Sequence, residues 1–166
     1  NIALLGYDNQ NTIIDGGYNG SVVTFNNGEN QNAILSNFTI MNGNADFGGG
    51  ISIGKDVESS PTISHNIIKN NVAQNGAGIY LNHSSSSLVY NVLTTNFSEG
   101  FGGGIFSEIN GAIDIKNCTI VNNSANNSGG GISSWSNDTI SNSIIWFNIA
   151  SIDSSINSNN NQIISY

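Results

Sequence analysis

Four side chains downstream of a recurring glycine motif have the types from which a sugar-binding surface is built. Tyr80, Phe106 and Trp135 are aromatic, and Glu108 is a carboxylate two residues after Phe106. Aromatic rings offer an apolar face to a sugar ring, and a carboxylate accepts hydrogen bonds from sugar hydroxyl groups. These side chains can act together only if the fold makes neighbours of residues that lie far apart in the sequence.

The glycine motif occurs four times, as FGGGI at 47–51, NGAGI at 75–79, FGGGI at 101–105 and SGGGI at 128–132. A glycine-rich loop can bind phosphate, but such a loop lies between a strand and a helix and usually carries a Lys. The sequence shows neither feature. The repeated glycines therefore indicate a tight backbone corner that leaves no room for Cβ atoms.

The spacing of these motifs defines an internal repeat. Their isoleucines follow at intervals of 28, 26 and 27 residues, at Ile51, Ile79, Ile105 and Ile132. An independent apolar column holds Ile40, Ile68, Leu93, Ile120 and Ile145, and another, five residues earlier, holds Leu35, Ile63, Leu88, Ile115 and Ile140. A polar column holds Asn71, Asn96, Asn123 and Asn148, with Asn42 one place early. The repeats are clearest over 33–150.

Each period contains three short stretches of β-type alternation, such as AIDIK, CTIVN and GGISSW. Strands this short cannot bury an apolar face alone, but stacking at about 4.8 Å per coil pairs each strand with its copies. The sequence therefore predicts an all-β fold, a three-sided parallel β-helix of about six coils with a period of 25–28 residues. We expect one domain over 1–166, with a degenerate terminal coil at 151–166.

In such a helix the residue after each motif isoleucine points outward. That outward column holds Ser52, Tyr80, Phe106 and Ser133, and the column two residues further on holds Gly54, Asn82, Glu108 and Trp135. Tyr80, Phe106, Glu108 and Trp135 thus form a candidate glycan-binding face. The alternative is that the outward rings stack on one another and stabilise the sheet.

Other columns have structural interpretations. Asn at a turn suits left-handed backbone and can hydrogen-bond its copy in the next coil. Cys118 shares an inward column with Phe38, which predicts a buried, unreactive thiol. His65 occupies a turn column with Asn37, Tyr90, Asn117 and Asn142, which favours a ladder role over catalysis.

Charge narrows the possible partners. The net charge is -8 with three Lys and no Arg, which disfavours nucleic acid and anionic membrane surfaces as partners. No apolar run is long enough to span a bilayer, so no membrane insertion is predicted for this segment. The single Cys118 leaves the redox compartment open.

No catalytic residue, metal site or cofactor is predicted. Glycoside hydrolysis uses two carboxylates, and only Glu108 lies on the candidate face. The sequence leaves Asp46, Asp56, Glu99 and Asp153 in turns that it does not place. The stretch KDVE at 55–58 is interpreted as a solvated turn rather than a calcium loop.

Two stretches carry a family resemblance, NTIIDGG at 11–17 and NCTIVNNSANNSGGGI at 117–132. They resemble right-handed parallel β-helix repeats of the pectate-lyase-like superfamily, found in bacterial surface and secreted proteins. The glycine motif is also similar to the repeats of chlamydial polymorphic outer-membrane proteins, although their F-x-x-N motif is not regular here. The resemblance covers about residues 11–150 and implies a right-handed solenoid. Family lyases use Arg or Lys as base, so the absence of Arg disfavours a lyase.

Three functional hypotheses remain. The first is an extracellular structural or adhesive module of a bacterial surface or secreted protein, with weak binding of a polysaccharide or cell-surface glycan. The alternative is part of a carbohydrate-active enzyme, a lyase or a glycoside hydrolase. The third is a fibre subunit that self-associates end to end, because no amphipathic helix is predicted to cap the open strand edges. The chain begins without Met or a basic leader, so we expect it to be part of a longer protein.

Overall fold

A computed structural model describes residues 1–158 and the backbone of Ile163–Ser165, and it shows a parallel β-solenoid of about six coils. The chain winds through four parallel sheets, here numbered 1 to 4 in the order in which each coil passes through them. The strands are only two to five residues long. Their stability therefore comes from pairing with copies in neighbouring coils.

The strand bounds follow the repeat. Sheet 1 contains Ala3–Leu5, Ile34–Ser36, Thr62–Ser64, Ser87–Val89, Asp114–Lys116, Thr139–Ser141 and Ile163–Ser165. Sheet 2 contains Ile13–Asp15, Thr39–Met41, Ile67–Lys69, Val92–Thr94, Thr119–Val121 and Ile144–Trp146. Sheet 3 contains Asn44–Phe47, Val72–Asn75, Phe97–Ser98, Ser124–Ser128 and Ile149–Ile152. Sheet 4 contains Val23–Phe25, Ile51–Ile53, Ile79–Leu81, Ile105–Ser107, Ile132–Ser134 and Ile156–Ser158.

The predicted apolar columns are confirmed as core ladders. In sheet 1, Leu35 pairs with Ile63, and the ladder continues through Leu88, Ile115 and Ile140. In sheet 4, Ile51 pairs with Ile79, and Ile105 and Ile132 follow. These side chains are buried in one continuous cluster along the solenoid axis. Burial of stacked Ile and Leu is the main stabilising contribution to such a fold.

The number of sides differs from the prediction, since the coil has four strands rather than three. The segment after each polar Asn, expected to be a turn, forms the strands of sheet 3. The extra strand follows from two residues per coil that have left-handed backbone conformation, with positive φ. One lies at the corner between sheets 1 and 2, and the other at the corner between sheets 2 and 3. The first set is Asn37, His65, Tyr90, Asn117 and Asn142, and the second is Asn42, Asn70, Thr95, Asn122 and Phe147.

The buried asparagines form ladders inside the corners. Asn71 donates its amide to Asn96 Oδ1 at 3.0 Å, and Asn96 donates in the same way to Asn123 at 2.9 Å. The left-handed backbone conformation falls on the residue before each ladder Asn, and turn asparagines such as Asn42, Asn70 and Asn122 adopt it as predicted. Gly43, rather than Asn42, occupies the ladder position of the preceding coil, where its N–H donates to Asn71 Oδ1.

The glycine corner joins sheets 3 and 4. Gly48, Gly76, Gly102 and Gly129 have φ angles of 64–65°, as predicted for a corner that other residues resist. Gly104 shows the second constraint, because a Cβ there would lie 2.6 Å from the carbonyl oxygen of Gly131. Both predicted reasons for the glycines are confirmed.

The end coils expose apolar side chains. Ile144, Trp146, Phe147 and Ile149 are largely exposed on the last described coils, and Ile2, Leu5 and Tyr7 on the first. The predicted terminal coil falls partly on residues 159–162 and 166, which lie outside the described residues. The described part of the chain contains no helix of the length and apolarity needed to cross a membrane.

Candidate functional site

The outer faces of sheets 3 and 4 enclose a cleft. The strands Asn44–Phe47 and Ile51–Ile53 are joined by three glycines, so the chain turns sharply between the two sheets. Side chains from both strands line one groove of about 610 Å³, among them Asp46, Phe47 and Ser52. The whole space between the outer faces of sheets 3 and 4 is called the cleft here. The groove is the open part of the cleft, lined by residues that include Asp46, Phe47 and Ser52.

The four residues of the candidate glycan-binding face come together in the cleft. Tyr80 and Phe106 pair in register on neighbouring coils, with ring centroids 6.0 Å apart. Trp135 packs edge-on against Phe106 at 4.9 Å, and the Tyr80 hydroxyl donates a hydrogen bond to Glu108. The prediction that the coil stacking makes neighbours of these residues is correct.

Their exposure differs from the expectation. Tyr80 and Phe106 point away from the core, yet each is only 2% exposed. Phe47 covers Tyr80 with ring centroids at 4.8 Å, and Phe101 covers Phe106 at 5.9 Å. Both covering rings immediately precede a glycine corner, so the bend folds them over sheet 4. The rings thus form an aromatic cluster that fills one end of the cleft, as the stacking alternative proposed.

Glu108 and Trp135 lie at the rim of this cluster and stay partly exposed. Burial, together with the hydrogen bond to the Glu108 carboxylate, raises the pKa of Tyr80 above the usual tyrosine range. The phenol is therefore a stable hydrogen-bond donor at neutral pH. At this end of the cleft, Glu108 and Trp135 are the residues of the cluster that remain partly accessible.

The groove begins where the aromatic cluster stops. In the outward column of sheet 4, Thr24, Ser52 and Tyr80 occupy consecutive coils. The two small residues leave space that a tyrosine fills in the next coil. The groove is therefore closed at one end by the cluster and lined by hydroxyl, amide and carboxylate groups.

Three carboxylates that the sequence did not place also line the groove: Asp46, Asp56 and Glu99. Asp46, Gln74 and Glu99 belong to one outward column of sheet 3, each directly after the small residue Ala45, Ala73 or Ser98. The aligned repeats could have placed these acids, because Ala45, Ala73 and Ser98 form a column of small residues directly before them. This placement was missed because the segment was assigned to a turn.

The groove carboxylates have few protein partners. Glu99 accepts a hydrogen bond from Gln74, and Asp56 accepts one from Asn26 at 3.0 Å. Lys55 is the cation of the groove lining, and its ammonium lies 5.4 Å from the Phe47 ring centre. Across residues 1–158 no three His, Cys, Asp or Glu residues are arranged to hold a metal ion.

Two other titratable groups are buried away from the groove. Cys118 takes the place of a ladder Asn: its thiol donates to Leu88 O at 3.3 Å, and burial raises its pKa, as expected for an unreactive thiol. Asp138, which the sequence did not single out, accepts hydrogen bonds from Ser134 at 2.7 Å and from the Ile113 N–H at 3.1 Å. Both groups stabilise turns of the solenoid.

His65 has the predicted ladder role. It lies in the left-handed corner with φ of 56° and stacks on Tyr90 of the next coil, with ring centroids 4.9 Å apart.

The fold and the cleft define the class of this protein as a parallel β-solenoid with a polar groove on its outer surface. No family model, no curated protein and no solved structure matches the chain.

Proposed function

We propose that this chain is an extracellular structural and adhesive module of a surface or secreted protein, and that it binds a glycan along the cleft. The observation that supports the proposal is the groove of about 610 Å³ beside the aromatic cluster. The extracellular location and kinship with the pectate-lyase-like and chlamydial repeats rest on the sequence resemblance. The partner in this proposal is a polysaccharide or a cell-surface glycan.

The groove chemistry fits sugar hydroxyls. Thr24, Asn26, Asn44 and Gln74 supply hydroxyl and amide groups, and Phe47 supplies an aromatic ring in the same lining. Sugar-binding sites combine such polar groups with an apolar surface. A rod of stacked coils also holds these groups rigidly, which lowers the entropy cost of binding an extended polymer.

The test blocks the groove with a bulky side chain that the same column already contains in the next coil. Ser52→Tyr places at this coil the residue found in the same column of the next coil. The variant should fold, because tyrosine is already accommodated there, and should lose binding on a glycan array. Thr94→Tyr is the matched control, since Thr94 lies in the outward column of sheet 2 that ends with Trp146.

Rim residues provide a second comparison. Glu108→Gln and Trp135→Ala should weaken binding of long glycans several-fold if the ligand extends from the groove along the cleft. A blank array for the native chain, or equal binding by Ser52→Tyr and the native chain, would reject the proposed function.

The carboxylates favour a second candidate, a glycoside hydrolase. Asp46 and Glu99 are two coils apart. Since neighbouring strands are about 4.8 Å apart, the two residues are separated by about 9–10 Å along the solenoid. This spacing is near the upper end of the separation used by inverting glycosidases. Turnover of a bound glycan that Glu99→Gln abolishes, without loss of binding, would establish this candidate.

The exposed end coils favour a third role, end-to-end association between copies. Ile144, Trp146 and Phe147 form an apolar surface on the last coils, where Ile144–Trp146 is the edge strand of sheet 2 among the described strands. Open edges and apolar patches are both sites of association. Sedimentation velocity tests this: a sedimentation coefficient that rises with concentration, and falls for Trp146→Lys, supports association, and a constant monomer value excludes it.

A further inference from the structure

We propose that the groove selects a sugar polymer that carries protonated amines, of the glucosamine type, over neutral or acidic polymers. This inference rests on the proposed function and assigns its substrate class. Two features carry it: the charge of the groove lining and a hydroxyl group in that lining, Ser52, that has no protein partner among the described residues.

The groove lining is strongly acidic. Asp46 and Glu99 project from one wall in a single column, and Asp56 lies on the other side with Lys55. Three carboxylates against one ammonium group give the lining a net negative charge, in a chain whose net charge is -8. An acidic groove raises the local concentration of cations and repels uronates.

Ser52 lies at the floor of this groove and is 3% exposed. Across the described residues its hydroxyl forms no hydrogen bond, and it is not one of the fully enclosed side-chain atoms without a partner, which are Asn82 Oδ1 and Ser133 Oγ. The Ser64 hydroxyl, on the outer face of sheet 1, donates to Ser36 at 3.1 Å instead. The Ser52 hydroxyl is therefore available to a ligand that enters the groove.

Asp46 is available in the same way. Within the described residues its carboxylate has neither a hydrogen bond nor an ion pair. Asp114, an outward acid of sheet 1, is paired instead with Lys116 at 2.7 Å. A ligand amine would supply Asp46 with a charge-assisted hydrogen bond, which is stronger than a neutral one.

The groups around these two residues favour a sugar over a basic peptide. Thr24 and Ser52 present hydroxyls, Asn26, Asn44 and Gln74 present amides, and together they outnumber the carboxylates. Asn26 and Gln74 already donate to groove carboxylates, and the hydroxyls and remaining amide groups suit a polyhydroxylated ring, whereas a lysine side chain offers only its ammonium. Lys55 is the one group that opposes a cationic ligand.

The experiment compares oligomers of equal length by titration calorimetry at a pH at which the amines are protonated. Glucosamine tetramer should bind at least about fivefold more tightly than N-acetylglucosamine tetramer, from one or two weak ion pairs. Galacturonate tetramer should bind least. The preference should shrink as salt is added, because salt screens exposed charges.

Variants assign the preference to the groove. Asp46→Asn and Glu99→Gln should each reduce it, whereas Lys55→Gln should tighten the glucosamine oligomer and leave the acetylated one unchanged. Asp114→Asn, on another face, should change neither affinity.

The outcomes separate this inference from the proposed function. Equal or tighter binding of the acetylated tetramer overturns the amine preference and leaves glycan binding intact. Equal binding of tetralysine and the glucosamine tetramer overturns the sugar assignment. No binding of any oligomer, with a blank glycan array, overturns both.

Discussion

The Tyr80 hydroxyl donates a hydrogen bond to the Glu108 carboxylate across neighbouring coils, at the edge of the aromatic cluster. A buried phenol next to a carboxylate resists ionisation, because a second negative charge would be placed beside the first. Burial and this contact together raise the pKa of Tyr80. The pair links the floor of the cleft to its rim.

The first prediction concerns this pair. One of the five tyrosines should titrate at higher pH than the others in ultraviolet difference spectra, and Tyr80→Phe should remove that component. The variant should lose about 1.5–3 kcal/mol of unfolding free energy, the usual value of a hydrogen bond to a charged group. Because the folded pKa is raised, this stabilisation is complete below the ordinary tyrosine pKa and is lost as pH rises through the folded value.

Tyr90→Phe is the control for Tyr80→Phe, since Tyr90 is an exposed corner residue whose ring stacks on His65. Its unfolding free energy should change by less than about 0.5 kcal/mol. Equal effects of the two variants would show that the Tyr80–Glu108 contact contributes nothing.

The second prediction concerns the asparagine ladder. Asn96→Ala should destabilise the chain by about 3 kcal/mol or more, measured by urea unfolding, because it leaves several buried groups without partners. Asn96 donates to Ile68 O and to Asn123 Oδ1, and it accepts from the Asn71 N–H and amide. Asn126→Ala, at an exposed position, should have little effect. A small effect at Asn96 would contradict a structural role of the ladder.

The third prediction separates the two reasons for glycine. Gly104→Ala should destabilise by about 3 kcal/mol or prevent folding, because its Cβ would meet the Gly131 carbonyl at 2.6 Å. Gly17→Ala should cost only about 1 kcal/mol, the strain of a left-handed alanine, since no atom lies within 4 Å of the added carbon. Thermal unfolding of the two variants measures the difference, and equal losses would reject crowding at the corner.

The fourth prediction concerns Asp138, which is 1% exposed. Burial raises its pKa, although hydrogen bonds from Ser134 and the Ile113 N–H act in the opposite direction. The folded chain therefore holds this proton more tightly than the unfolded chain, so stability should fall as pH rises from the ordinary aspartate pKa through the folded value. Asp138→Asn keeps the acceptor for the Ile113 N–H and should lack this fall.

The measurement for Asp138 is the difference in unfolding free energy between the native chain and Asp138→Asn across acidic pH. The other carboxylates titrate in both proteins and cancel in that difference. A difference that does not change with pH would contradict the buried, ionisable role of Asp138.

Much of the cleft could be predicted from the sequence, because a repeat converts spacing into proximity. The register that joins Tyr80 to Phe106 follows from counting residues between isoleucines. The carboxylates could not be placed in the same way, since Asp46 and Glu99 lie in a segment whose strand character depends on the second left-handed corner. Asp138 was missed because no pattern marks a single acid that is buried by its turn.

The repeat, the inward apolar ladders and the role of the glycines followed from the sequence alone, because each depends on similar contacts repeated in every coil, whereas the fourth strand of the coil did not. The tertiary structure alone decided what the outward residues face. Phe47 and Phe101 fold back over sheet 4 at the glycine bend, so Tyr80 and Phe106 are buried where alternation predicts exposure. Alternation reports which side of a strand a residue takes, but only the angle between two sheets determines whether that side reaches water.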